Sequence, residues 1–106
     1  MHPRTLQGLA QAAYANRDIT SAIGFYLRAW EAVQDEPALA PGIANELAYV
    51  CLYDLSDAEA AGRWAMRMEA SATNDIDLAR LGLLRTRLAS GAPGKARSTF
   101  TSVAAL

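Results

Sequence analysis

The stretch from Asn16 to Glu31, NRDITSAIGFYLRAWE, places Ala22, Tyr26 and Ala29 at i, i+4 and i+7, which is one side of an α-helix. A small-large-small stripe of this kind requires a second helix close by, because alanine lets two backbones approach and the ring fills the space beside it. The pairing of an alanine with an aromatic four residues later returns at Ala60 with Trp64 and at Ala96 with Phe100. These alanines stand 38 and 36 residues apart, a recurrence that marks a repeated unit rather than one amphipathic helix.

The turn signals between these stripes divide the chain into helices. Pro3 suits a helix start, where its missing N–H costs nothing, so a first helix is expected over 4–15 with Leu6, Leu9, Ala10 and Ala13 on its apolar face. Asp18 can cap a second helix over 19–34, which Asp35, Glu36 and Pro37 end. Pro41 opens a third over 41–54, with Ala44, Leu47, Ala48 and Cys51 as its stripe. Ser56 and Glu59 have the spacing of a capping box for a fourth helix over 57–71.

Thr73, Asn74 and Asp75 can cap a fifth over 75–90, in which Leu78, Leu81, Leu84 and Leu88 recur at helical steps. Gly91 fits the left-handed position past a helix end, and Pro93 opens a sixth over 93–105, buried through Ala96, Phe100 and Val103. Alanine, the best helix former, dominates the chain, and no stretch alternates with period two for long. The expected class is therefore all-α, and 106 residues suffice for one domain with a continuous core.

Three helix pairs, 4–34, 41–71 and 75–105, carrying these stripes resemble the tetratricopeptide repeat (TPR) family of helix-turn-helix hairpins. In that resemblance Leu6, Leu9, Ala10 and Ala13 take the first-helix signature places of the best-matching unit, and Ala22, Tyr26 and Ala29 the second-helix places. The middle unit offers Ala44, Leu47, Ala48 and Cys51, then Ala60 and Trp64; the last offers Ala96 and Phe100. The resemblance implies a right-handed stack of about three hairpins, an α-solenoid fragment in which each unit buries its face against the next.

It also implies where a partner would bind. In TPR proteins the first helices of successive units line a concave groove, and the matching positions here are Arg4, Gln7, Gln11 and Tyr14, then Asn45, Tyr49, Leu52 and Tyr53. The third unit adds Arg85, with Leu81 and Leu88 beside it. Amides on such a face can bond a peptide backbone, and tyrosines offer area with a polar tip. The plainer reading is that the tyrosines complete the core and the amides are merely solvated. The paired Lys and Asn pattern that some TPR proteins use to grip a C-terminal carboxylate is missing from these positions.

Gly24 and Gly62 each stand two residues before the marker aromatic, so close backbone approach is expected at both. Trp30, Trp64, Met66 and Met68 are expected to be core, with an adaptable apolar binding surface as the alternative.

Charge discriminates weakly between partners. The net charge is −1, but residues 1–60 carry three Arg against eight acids, net −5, and residues 61–106 carry seven Lys and Arg against three acids, net +4. Solvated helix faces explain this gradient, and head-to-tail self-association is its sharper reading. Arg80, Arg85, Arg87, Lys95 and Arg97 form a basic end with little aromatic interleaving, which is thin support for nucleic acid.

Catalysis has little foothold. His2 has no second histidine, Cys51 lies on an apolar stripe without a nearby base, and Asp75 with Asp77 sits at a helix start, where capping accounts for them. Gly91 to Lys95 lacks the spacing of a phosphate loop. No enzyme activity, metal or cofactor is expected.

The sequence thus points to a protein–protein interaction module that holds a peptide or helix of a partner in a groove. A small secretion-type chaperone or assembly scaffold, self-associating through an uncapped last hairpin, is one alternative; a helix-turn-helix nucleic-acid binder is another. The longest apolar run, 47–53, is too short to span a bilayer, and the first residues lack a secretory signal. A cytoplasmic location is expected, or a periplasmic or exported one if the chain is a piece of a larger protein.

Overall fold

The computed structural model describes residues 1–90. These residues form five α-helices and no strand: α1 (Pro3–Ala15), α2 (Ile19–Glu31), α3 (Ala40–Tyr49), α4 (Ala58–Ser71) and α5 (Asp75–Ala89). Single-turn 3-10 segments at Val33–Asp35 and Pro37–Leu39 join α2 to α3, and a π-helical turn, Val50–Asp54, extends α3. The expected sixth helix, with Ala96 and Phe100, lies outside the described residues.

Helices α1 and α2 pack as one hairpin and α3 and α4 as a second; α3 also meets α2, and α5 packs on both α3 and α4. The first hairpin turns where the sequence breaks. The Asp18 N–H donates to the Ala13 carbonyl at 2.9 Å and the Arg17 N–H to that of Tyr14 at 2.9 Å, closing α1 with Arg17 in the left-handed region at φ 63. Asp18 then accepts from the Ser21 N–H at 3.2 Å and caps α2.

The core is continuous through these elements. Ala22, Tyr26 and Ala29 are all buried, as are Ala44, Leu47, Ala48 and Cys51. Trp30 of α2 meets Trp64 of α4 edge to face, with ring centroids 5.3 Å apart, so the second helices of the two hairpins touch through indoles. Met68 is fully buried and Met66 is exposed.

Several expectations are corrected in detail. Ser56 does not cap α4: its backbone is left-handed, at φ 53, and Asp57 is the cap, accepting from the Ala60 N–H at 3.0 Å. The alanine buried before Trp64 is Ala61 rather than Ala60. Helix α5 turns Asp77, Leu81 and Leu84 inward and leaves Leu78 exposed, because Asp77 is held at the helix start by Asn74, whose Oδ1 accepts from the Asp77 N–H at 2.9 Å. On α1, Leu6 and Ala10 are buried while Leu9 is exposed.

The glycine expectation is overturned. A Cβ built on Gly24 or Gly62 would meet no atom within 4 Å, so neither marks a close approach among the described residues. Among the described residues the glycine with a neighbour is Gly42, whose Cβ would stand 3.9 Å from Gln7 Nε2. Among the described residues no helix is long and apolar enough to cross a membrane.

Candidate functional site: the face shared by the first and third helices

Three side chains of α1, and Arg17 in the turn after it, reach the α3–π segment. Gln7 Nε2 donates to Glu46 Oε2 at 2.9 Å, and Gln11 Nε2 donates to Glu46 Oε1 at 3.1 Å and Oε2 at 3.3 Å. One turn further along, the Tyr14 hydroxyl donates to Asp54 Oδ2 at 2.9 Å, while Arg17 lies 3.6 Å from Asp54 Oδ1 and over the Tyr14 ring. Gln7, Gln11 and Tyr14 fall on one side of α1 because they are spaced by four and three residues.

Two tyrosines, the last residue of α3 and one within the π segment, continue this face. Tyr49 and Tyr53 stack with centroids 5.8 Å apart and planes 3° from parallel, and Arg87 of α5 donates to the Tyr53 hydroxyl at 3.1 Å. The bodies of Tyr14, Tyr49 and Tyr53 rest against the core, so these rings serve packing and surface together. A π turn widens the helix, and such turns are frequent at functional sites.

Between the helices lies an indentation of about 300 Å³ lined by Gln11, Tyr14, Tyr26, Glu46, Tyr49 and Val50. Its phenols are held neutral. Burial, reinforced by the neighbouring Glu46 carboxylate, pushes the Tyr26 hydroxyl far above the ordinary phenol range. The hydrogen bond to Asp54, with burial, raises Tyr14, and burial raises Tyr49.

The expected groove residues therefore divide. Gln7, Gln11, Tyr14, Tyr49 and Tyr53 are brought together. Arg4 stands apart, paired with Glu36 at the start of α1, where His2 Nε2 is also 3.3 Å from Glu36. Leu52 is buried in the core, because Val50, Cys51 and Leu52 are enclosed where the π segment meets α2 and α4. Asn45 is half-buried, and its Oδ1 is buried without a hydrogen-bond partner among the described residues. Arg85 turns to Glu69 of α4 at 2.6 Å, so the α5 residue that reaches the shared face is Arg87.

Glu46, Asp54, Arg17 and Val50 are not singled out by the sequence reading, and Tyr26 enters it as core and not as a site residue. Glu46 was legible in one respect: it stands three residues before Tyr49, on the same side of a helix. Of the basic end, Arg80 pairs with Asp77 at 3.5 Å and Arg85 with Glu69; Lys95 and Arg97 lie outside the described residues. Cys51 is buried, and burial raises its thiol above the ordinary range, away from the thiolate that nucleophilic chemistry uses. Comparison with family models, with curated proteins and with solved structures gave no match.

Proposed function

We propose that this chain is a non-catalytic interaction module of TPR-like hairpins, and that the face shared by α1 and α3 holds a peptide or helix of another protein. The observation that supports this most is the indentation between the two helices, flanked by the stacked Tyr49 and Tyr53 and by the Gln7 and Gln11 amides on Glu46. The side chains are already braced by one another, so a partner would meet a preformed surface and binding would need little reordering. Half-buried tyrosine rings supply contact area at low entropic cost.

A peptide-array screen with the wild-type chain and with a Tyr49→Ala, Tyr53→Ala variant tests the reading. Peptides that bind the wild type and lose the variant, with the variant still folded by circular dichroism, are the expected outcome. Equal binding by both proteins removes the face from consideration.

A further inference from the structure

Glu46 is the one carboxylate in the indentation, and among the described residues no Lys, Arg or His lies within ion-pair distance of it. Its oxygens accept from the Gln7 and Gln11 amides, with the Tyr26 hydroxyl beside them, all neutral groups that leave its charge uncompensated. A half-buried carboxylate without a cation leaves a negative charge that a positive ligand can meet at short range.

The walls around it are Tyr14, Tyr26 and Tyr49, and aromatic rings about a carboxylate are the surroundings that favour an organic cation. The Tyr14 ring already accepts one guanidinium, that of Arg17, whose carbon lies 5.7 Å from the centroid. Arg17 pairs with Asp54 and Arg87 donates to Tyr53, and neither is among the residues lining the indentation.

We propose that this indentation is a cation subsite that takes the ammonium or guanidinium head of a Lys or Arg side chain on the partner peptide. Glu46 supplies the counter-charge and Tyr14, Tyr26 and Tyr49 the aromatic wall. The inference rests on the groove reading above and specifies the chemistry of its anchor. Three features favour such an occupant. The volume of about 300 Å³ is at the small end of ligand pockets, suited to one side chain rather than a helix. The phenols stay neutral, and their rings offer the electron-rich face that a cation-π contact uses. Residues 1–60, which build the site, carry a net charge of −5, three Arg against eight acids, which draws basic segments toward it.

The test titrates isotope-labelled protein with the methylamides of Nα-acetyl-lysine, Nα-acetyl-arginine and the neutral isostere Nα-acetyl-norleucine, reading amide shifts residue by residue. The cationic probes should perturb Gln7, Gln11, Glu46 and Tyr49, and norleucine should bind at least tenfold more weakly. The variant E46Q, which keeps the shape and an acceptor for the amides, should lose at least tenfold in affinity for the lysine probe. Norleucine binding as tightly as lysine in the wild type overturns the proposal without recourse to any variant. So do shifts confined to other faces, no shifts at tens of millimolar, or unchanged affinity in E46Q. Peptides that bind the face in the array but show no enrichment for Lys or Arg would leave the groove standing and remove the subsite. A peptide array with no binding at all, alongside a positive lysine titration, would do the reverse.

Discussion

The Tyr14 hydroxyl donates to the Asp54 carboxylate at 2.9 Å, joining the last turn of α1 to the π segment across 40 residues of chain. It closes one end of the shared face, as Gln7 and Gln11 on Glu46 hold the other. Replacing Tyr14 with Phe keeps the ring and leaves a half-buried carboxylate short of a donor. A loss of about 1–2 kcal/mol is expected, since a hydrogen bond to a charged acceptor sits at the strong end of the net range and this one is partly solvated. Urea titration of Tyr14→Phe, Asp54→Asn and the pair checks it; simple additivity of the two single losses would show that the residues do not act together.

Alkaline stability follows from the raised phenols. The folded state holds Tyr14, Tyr26 and Tyr49 protonated beyond the ordinary phenol value of 10.0, so above that pH the unfolded chain binds fewer protons than the native one. Their stabilisation is therefore complete below about pH 10 and is lost as pH rises through the folded values. The midpoint of unfolding should fall steadily above that point, and Tyr26→Phe should flatten the decline most, because Tyr26 is displaced furthest. A midpoint independent of pH up to 11.5 would contradict this.

Gly24 and Gly62 should be improvable. An added Cβ meets nothing within 4 Å at either site, and both lie inside helices, so Gly24→Ala and Gly62→Ala should each stabilise by up to about 1 kcal/mol. Thermal melts showing a rise of about 4–8 °C per kcal/mol are the expected result, and a fall at either site would reinstate close packing there.

The sequence made the core of the first hairpin and of α3 readable, because alanines and one ring at helical spacing have few other uses: Ala22, Tyr26, Ala29 and Ala44 are buried as their periodicity implies. It was less legible where the local rule was overridden by a neighbour. The π turn changes the angle between successive residues, so Leu52, placed on the surface by an ideal α-helix, enters the core. Ser56 has the capping spacing, yet a left-handed backbone hands that role to Asp57. Glu46 and Asp54 look like solvated acids in one dimension; only the placement of α1 against the α3–π segment gives them partners.

The indole pair joins the hairpins, and its removal should be costly. Trp64→Ala should destabilise by about 3–5 kcal/mol through lost burial and a cavity. A double-mutant cycle with Trp30→Ala should return a coupling of about 0.5–1.5 kcal/mol for the edge-to-face contact, and zero coupling would mean that the two rings do not pack on one another.

The direct test of the shared face is residue-resolved mapping of an array-selected peptide on the isotope-labelled protein. Perturbations centred on Gln7, Gln11, Glu46, Tyr49 and Tyr53, abolished in a folded Tyr49→Ala, Tyr53→Ala protein, are the expected result. Perturbations confined to the exposed sides of α4 and α5, with affinity unchanged in that variant, would contradict the account.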